Sequence, residues 1–254
     1  AGLFFQDDWS VRRNLTVSSG LRLAAQNRIS DHADWGPRFS FAYAPGAGHG
    51  TPSRTTIRGG YGWFFDRFGS TYVLDAIRQN GSNQQQYVVK NPSFSQNAPS
   101  ASQLASSVIA APTIYQVAPH LKAAVNMQAA LAVEHQFGRV ATVSATYINS
   151  RGVHQYLSGN INAYLPGTYD YGTATGTRPN GINENIYQFQ SGGIYNQNQL
   201  IVNYTVRARR VSLFGFYLVN FAKADTSGAT YFPSNSFNPG SDYGRANFDV
   251  RNRF

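Results

Sequence analysis

Residues able to do chemistry are few in this chain, and they are scattered. His32, His49, His120, His135 and His154 stand singly, without the HExxH spacing that sets two imidazoles one helical turn apart around zinc. There is no GxSxG turn to raise a nucleophilic serine. With no cysteine, thiolate catalysis and thiolate metal sites are excluded. The close acidic pairs are Asp7-Asp8 and Asp31/Asp34. Ca²⁺ takes about six to eight oxygens, so two carboxylates in one loop read more simply as a solvated turn. Gly46-Ala47-Gly48, ahead of His49, lacks the Lys-Ser/Thr of a phosphate loop and reads as a flexible turn. No catalytic residue, metal ligand or cofactor is expected.

A more regular set is Arg22, Arg38, Arg58 and Arg207 with Asp66 and Glu134. All six fall on the polar parity of segments that alternate apolar and polar residues. Guanidinium groups on one face can pair with the two carboxylates, contact an internal domain, or meet an anionic solute. The first reading predicts ion pairs and hydrogen bonds along a wall; the others give the same residues a part in binding.

The segments that position them are strands. Over 123–137, Val125, Met127, Ala129, Leu131, Val133 and Phe137 share one parity, and Asn126, Gln128, Ala130, Ala132, Glu134 and Gln136 the other. Successive strand side chains point to opposite faces, so one face is apolar and the other polar or small. Further strands are expected at 2–10, 15–27, 37–44, 54–66, 194–207 and 211–223, with the hairpin of 123–147 between the fourth and the seventh and a ninth strand beginning near 247. Connections at 11–14, 45–53, 138–139 and 208–210 are short; those at 28–36, 67–120, 151–193 and 224–246 are long. Long loops therefore gather at one end of an antiparallel meander. A membrane-spanning strand needs about 9–11 residues, and outer-membrane barrels have short periplasmic turns and long extracellular loops. The expected fold is all-β, an antiparallel transmembrane β-barrel meander filling residues 1–254.

Composition agrees. The 254 residues include 24 Gly, 16 Tyr and 17 Phe but only 13% charged residues, against about 25% in ordinary domains. A net charge of +9 comes without a basic run longer than Arg12-Arg13 or Arg209-Arg210, which argues against nucleic acid and for anionic lipopolysaccharide or an acidic ligand. Residue 1 opens inside a strand-like run, as in a piece of a longer chain. Trp63, Phe65, Tyr147 and Phe221 are expected at the outer interface, and Trp9, Tyr43 and Phe137 at the inner one. A short helix is expected at 70–79, and irregular chain at 91–119. Trp35, Tyr72, Tyr115, Tyr164 and Tyr169 are loop candidates for ligand contact, by position; Tyr156 and Tyr171 share the 151–193 loop.

Several stretches resemble a known family. Phe4-Phe5-Gln6-Asp7-Asp8-Trp9 with Asn14-Leu15-Thr16-Val17 and Gly20-Leu21-Arg22 is similar to the "FxQDDW…NLTLxxGLRY" stretch of TonB-dependent outer-membrane receptors. Gly36-Pro37-Arg38-Phe39-Ser40-Phe41-Ala42-Tyr43 and Ile57-Arg58-Gly59-Gly60-Tyr61-Gly62-Trp63-Phe64-Phe65-Asp66-Arg67 resemble strands of the Oar-like subgroup, whose full chains carry an N-terminal carboxypeptidase-regulatory-like domain. Phe248-Asp249-Val250-Arg251-Asn252-Arg253-Phe254 is similar to that family's "FDxRHRF". Asn252 replaces the usual His, and Ala24-Ala25 follow Gly-Leu-Arg where Tyr is common. The resemblance implies a barrel of about 22 strands around an N-terminal plug, energised by the TonB–ExbB–ExbD complex of the inner membrane. This chain would supply about nine of those strands and neither plug nor TonB box. Its implied role is uptake of a large or scarce solute, a siderophore, saccharide or peptide, by loop capture and plug movement. Two alternatives are a structural or adhesive outer-membrane barrel and a soluble β-sandwich binding domain.

Overall fold

The computed structural model describes residues 2–47, 52–84, 97, 99–100, 102–103 and 111–254. Gly48 and His49, and much of the 91–119 stretch, lie outside the described residues. Eight long strands form an antiparallel meander: β1 (Gly2–Arg12), β2 (Leu15–Ala24), β3 (Asp34–Tyr43), β4 (Thr55–Phe65), β6 (Val125–Phe137), β7 (Ala141–Asn160), β8 (Asn185–Ala208) and β9 (Val211–Ala224). Two short strands, β10 (Gly244–Arg245) and β11 (Asn252–Arg253), pair with β9 where the ninth strand was expected. A further strand, β5 (Thr113–Val117), pairs in parallel with the upper part of β8. The sheet has eleven strands and is unclosed.

Register carries the two-faced pattern from strand to strand. Trp9, Val17, Phe41, Gly59, Leu131, Tyr147, Leu200 and Val219 are successive cross-strand partners in one row. The next row runs Asp8, Ser18, Ser40, Gly60, Ala130, Ile148, Gln199 and Asn220. A one-residue slip would exchange the faces, so hydrophobic patterning fixes the register. Gly59 belongs to the apolar row for a packing reason: a Cβ there would sit 2.4 Å from Cε1 of Phe41, whose ring covers that backbone. Large apolar groups on this face stand exposed, among them Leu131, Tyr147, Leu200 and Tyr217.

At the long-loop end the chain builds a cap with a core of its own. Helix α1 (Ser70–Arg78) and β5 pack over the upper parts of β7 and β8. Ile29, Phe68, Leu121, Ala123, Phe189 and Ala229 form the buried cluster, with Tyr72, Tyr115 and Tyr156 against it. The rings interlock: Phe68 meets Tyr156 edge-on at 5.2 Å, and Tyr72 lies 5.3 Å from Phe189.

Several expectations are corrected here. Expected irregular chain contains β5, and the expected 151–193 loop contracts to 161–184 because β7 and β8 run on as a ladder. Period two hides that extension: register shifts between Gly152 and Leu157, with His154 at φ 54°, break the alternation. Tyr156 is therefore a strand residue. β3 starts at Asp34, so Trp35 is also in a strand, opposite Leu23 on the apolar parity. Phe65 turns from the expected outer interface to the cap cluster, whereas Trp63, Tyr147, Phe221, Trp9, Tyr43 and Phe137 all stand exposed.

Candidate functional site

Three adjacent strands place Arg22, Arg38 and Arg58 on the polar face. Small residues sit beside these arginines: Gly36 on one side of Arg22, with Phe4 on the other, Gly20 and Gly62 beside Arg38, and Ala42 and Ala132 beside Arg58. Small partners leave room for long side chains to lie across the sheet. Arg38 uses that room, its guanidinium carbon 4.7 Å from the centroid of Phe64. A Cβ on Gly62 would crowd both groups, at 3.2 Å from the Phe64 ring and 3.3 Å from Cγ of Arg38.

Arg22, Arg38 and Asp66 come together around a cavity of about 280 Å³ at the long-loop end, with Gln26, Asp34 and Phe64 in its lining. Asp66 lies just past β4; its carboxylate accepts from Nδ2 of Asn126 at 3.2 Å, and its carbonyl accepts from Nε2 of Gln26 at 3.0 Å. Burial raises the Asp66 carboxyl above its ordinary pKa, partly offset by the Asn126 amide. A second cavity of about 280 Å³ lies lower on the same face, lined by Ser18, Ser40, Arg58, Gly60 and Ala130.

The other two lumen candidates sit apart from that cavity. Glu134 is opposite Thr56 and Ser144, and Arg207 opposite Ser212 near the short-turn end of β8. The expected ion-pair network along the wall is not found: among the described residues both salt bridges are to Asp249. Cross-strand pairing gives the reason, since none of the strand charges is set opposite a charge of the other sign: Arg22 faces Phe4 and Gly36, Arg38 and Arg58 face Gly or Ala, and Glu134 and Arg207 face hydroxyl residues. Neutral bonds tie the face instead, including Gln128 Nε2 to Ser150 Oγ at 3.3 Å and Gln197 Nε2 to Asn220 Oδ1 at 2.8 Å.

Of the loop candidates, Tyr72 and Tyr115 are half-buried in the cap cluster. Tyr164 and Tyr169 stack in the 161–184 loop with centroids 4.8 Å apart, and Tyr171 stands 4.9 Å beyond, 90% exposed. Two clamps lie outside the expected site residues. In one, Asn162 is fully buried, donating Nδ2 to the carbonyls of Ile182 and Glu184 at 3.0 and 2.8 Å. In the other, Asp249 accepts from Nε of Arg245 at 2.9 Å, Nε of Arg251 at 2.7 Å, Nδ2 of Asn220 at 3.1 Å and the Ala222 N–H at 3.1 Å. Burial alone would raise the Asp249 pKa, but the Arg251 bond and the Ala222 N–H hold it below the usual carboxylate range. Arg251 also lies 4.5 Å over the Phe221 ring. The Phe-Asp-Val-Arg motif signalled Asp249; nothing local marked Asn162.

Comparison with known proteins places this geometry. The profile of the outer membrane beta barrel domain matches residues 24–254. No curated protein matches the sequence. The fold resembles the outer membrane transporter YddB from Escherichia coli, with a TM-score of 0.59 at 17% identity over 90% of this chain and 25% of that one. It also resembles the siderophore receptor PirA from Acinetobacter baumannii, with a TM-score of 0.56 at 13% identity over 88% of this chain and 30% of the other. A third similar structure is the ferric enterobactin receptor PfeA from Pseudomonas aeruginosa, with a TM-score of 0.55 at 14% identity, covering 88% and 29%. The chain thus spans under a third of each of these proteins. In outer-membrane barrels the apolar side of each strand meets lipid and the polar side the interior, the two-faced pattern that these rows have, and a soluble β-sandwich is overturned. This chain belongs to the outer membrane beta barrel domain family of the bacterial outer membrane.

Proposed function

We propose that this chain is part of the barrel of a TonB-dependent transporter of the Oar-like subgroup, which takes up a large or scarce solute. The observation that carries the reading is three arginines on the polar face of adjacent strands, each with glycine or alanine on at least one side, two of them lining a cavity at the long-loop end. Long loops lie outside the cell and capture the solute. Small lumenal side chains let a plug domain, supplied elsewhere in the full protein, approach the wall closely. Energy arrives through TonB–ExbB–ExbD acting on that plug, and lipopolysaccharide surrounds the outer leaflet. The work is binding and movement rather than covalent catalysis.

The test compares solutes remaining in spent medium of the parent strain with those left by strains lacking this receptor or lacking TonB. Uptake predicts that the same solute is left behind in both mutants. A structural or adhesive barrel predicts no such solute, together with surface adhesion that survives loss of TonB.

A further inference from the structure

Among the described residues, Arg178 is a buried cation with no counterion. It lies in the 161–184 loop and is only 9% exposed. Its Nη1 donates to the carbonyl of Asn162 at 2.6 Å, to the carbonyl of Glu184 at 3.0 Å and to Oδ1 of Asn185 at 3.2 Å. Its face covers Tyr164, with 3.9 Å from the guanidinium carbon to the ring centroid. All of these partners are neutral. Nε is buried and has no hydrogen-bond partner, and among the described residues no carboxylate forms an ion pair with Arg178. A buried cation without an anion is costly, and a buried donor left unpaired adds to that cost. Beside it is a cavity of about 390 Å³, lined by Arg178 itself with Tyr164, Thr175, Gly176, Ile182 and Asn183.

We infer that this loop holds an oxyanion-binding site, with Arg178 as its recognition residue and a carboxylate or phosphate group as its ligand. Nη1 is consumed by the fold. That leaves the side-on edge, Nε with Nη2, to receive two oxygens of one oxyanion in parallel, once the atoms that now cover Nε are displaced. Loop bonds and the Tyr164 ring fix the fork before any ligand arrives, so little side-chain freedom is lost on binding. Exposed Tyr171, beyond Tyr169 in the stack, offers a ring for the remainder of the solute. The site depends on this loop and the first residue of β8, so it stands or falls separately from TonB-driven uptake.

The full-length protein, purified in detergent free of lipopolysaccharide, is titrated with inorganic phosphate and with citrate at constant ionic strength, following the unfolding midpoint. A saturating rise is expected. Arg178→Lys keeps the charge but not the fork, and should weaken the midpoint effect at least tenfold in concentration. Because Arg178 also braces the loop, Asn183→Asp is the second variant: it leaves Arg178 and its Nη1 bonds intact while placing a carboxylate in the cavity, and should also weaken binding at least tenfold. Competition by lipopolysaccharide, but not by its dephosphorylated form, assigns the oxyanion to lipid; lack of competition assigns it to a soluble ligand. No saturating response in the parent protein, or an unchanged one in both variants, overturns the site.

Discussion

The wall and the cap are built from one continuous sheet yet stand by different means. In the wall, backbone ladders satisfy the polar groups and apolar side chains point outward, so lipid rather than protein covers Leu131, Tyr147 and Leu200. Its side chains need the right polarity more than the right shape. In the cap, Phe68, Leu121 and Phe189 are shielded by other side chains, and in the adjoining 161–184 loop the buried Asn162 meets specific partners. There shape and hydrogen-bond geometry both count. The boundary is the irregular stretch of β7 between Gly152 and Leu157.

This contrast can be broken in both directions. The largest effect is expected from Phe68→Ala, which empties the centre of the cap cluster and should cost about 3–5 kcal/mol. Hydrogen exchange should then speed up in β5 and α1 while the wall amides of β6 stay protected. Next comes Leu131→Arg, in the middle of β6 on the lipid face, at about 2–4 kcal/mol if it lies near the bilayer midplane. Ala130→Arg, one residue away on the lumen face, should change the denaturant midpoint little. Equal losses for the two would remove the distinction between faces.

Two smaller effects concern pH. Asp249 is held below the ordinary carboxylate range, so its clamp supports the fold above the unfolded pKa of about 3.9 and is lost as pH falls through the lower folded value. Proteolysis of the 225–253 segment should rise on acidification, and Asp249→Asn should show that susceptibility already at neutral pH. Asp66 has the opposite sign. Its raised pKa means that the folded state binds the proton more tightly, so the contribution present below the unfolded value fades as pH rises through the folded one. Asp66→Asn should abolish a slight gain in cap stability on mild acidification, read by hydrogen exchange around Phe68.

Legibility in the sequence followed the same boundary. Wall strands announce themselves because one parity must suit lipid along its whole length; the β6 pattern from Val125 to Phe137 needed no tertiary knowledge. The cap follows no period. β5 is five residues long and joins β8 in parallel, a pairing that local pattern does not specify. The strand signal of β7 fails where its register shifts. Among site residues, parity identified Arg22, Arg38 and Arg58, and the structure adds their small neighbours and the Phe64 contact. Trp35 lies in β3 because the last three residues of the expected 28–36 loop belong to that strand. Arg178 carried no signal, since its burial arises from partners on both sides of an irregular loop.

The central claim is that neighbouring residues of one strand meet different solvents. These 254 residues contain no cysteine; single cysteines can be placed at each position from Gln128 to Val133 in the full-length protein, with any cysteine elsewhere replaced by serine, and carry nitroxide labels in bilayers. Oxygen, which partitions into lipid, should relax labels at 129, 131 and 133. A water-soluble nickel chelate should not reach those three, and labels at 128, 130 and 132 should show low oxygen accessibility. An oxygen profile without that two-residue period, or one with its maxima at 128, 130 and 132, would contradict the account.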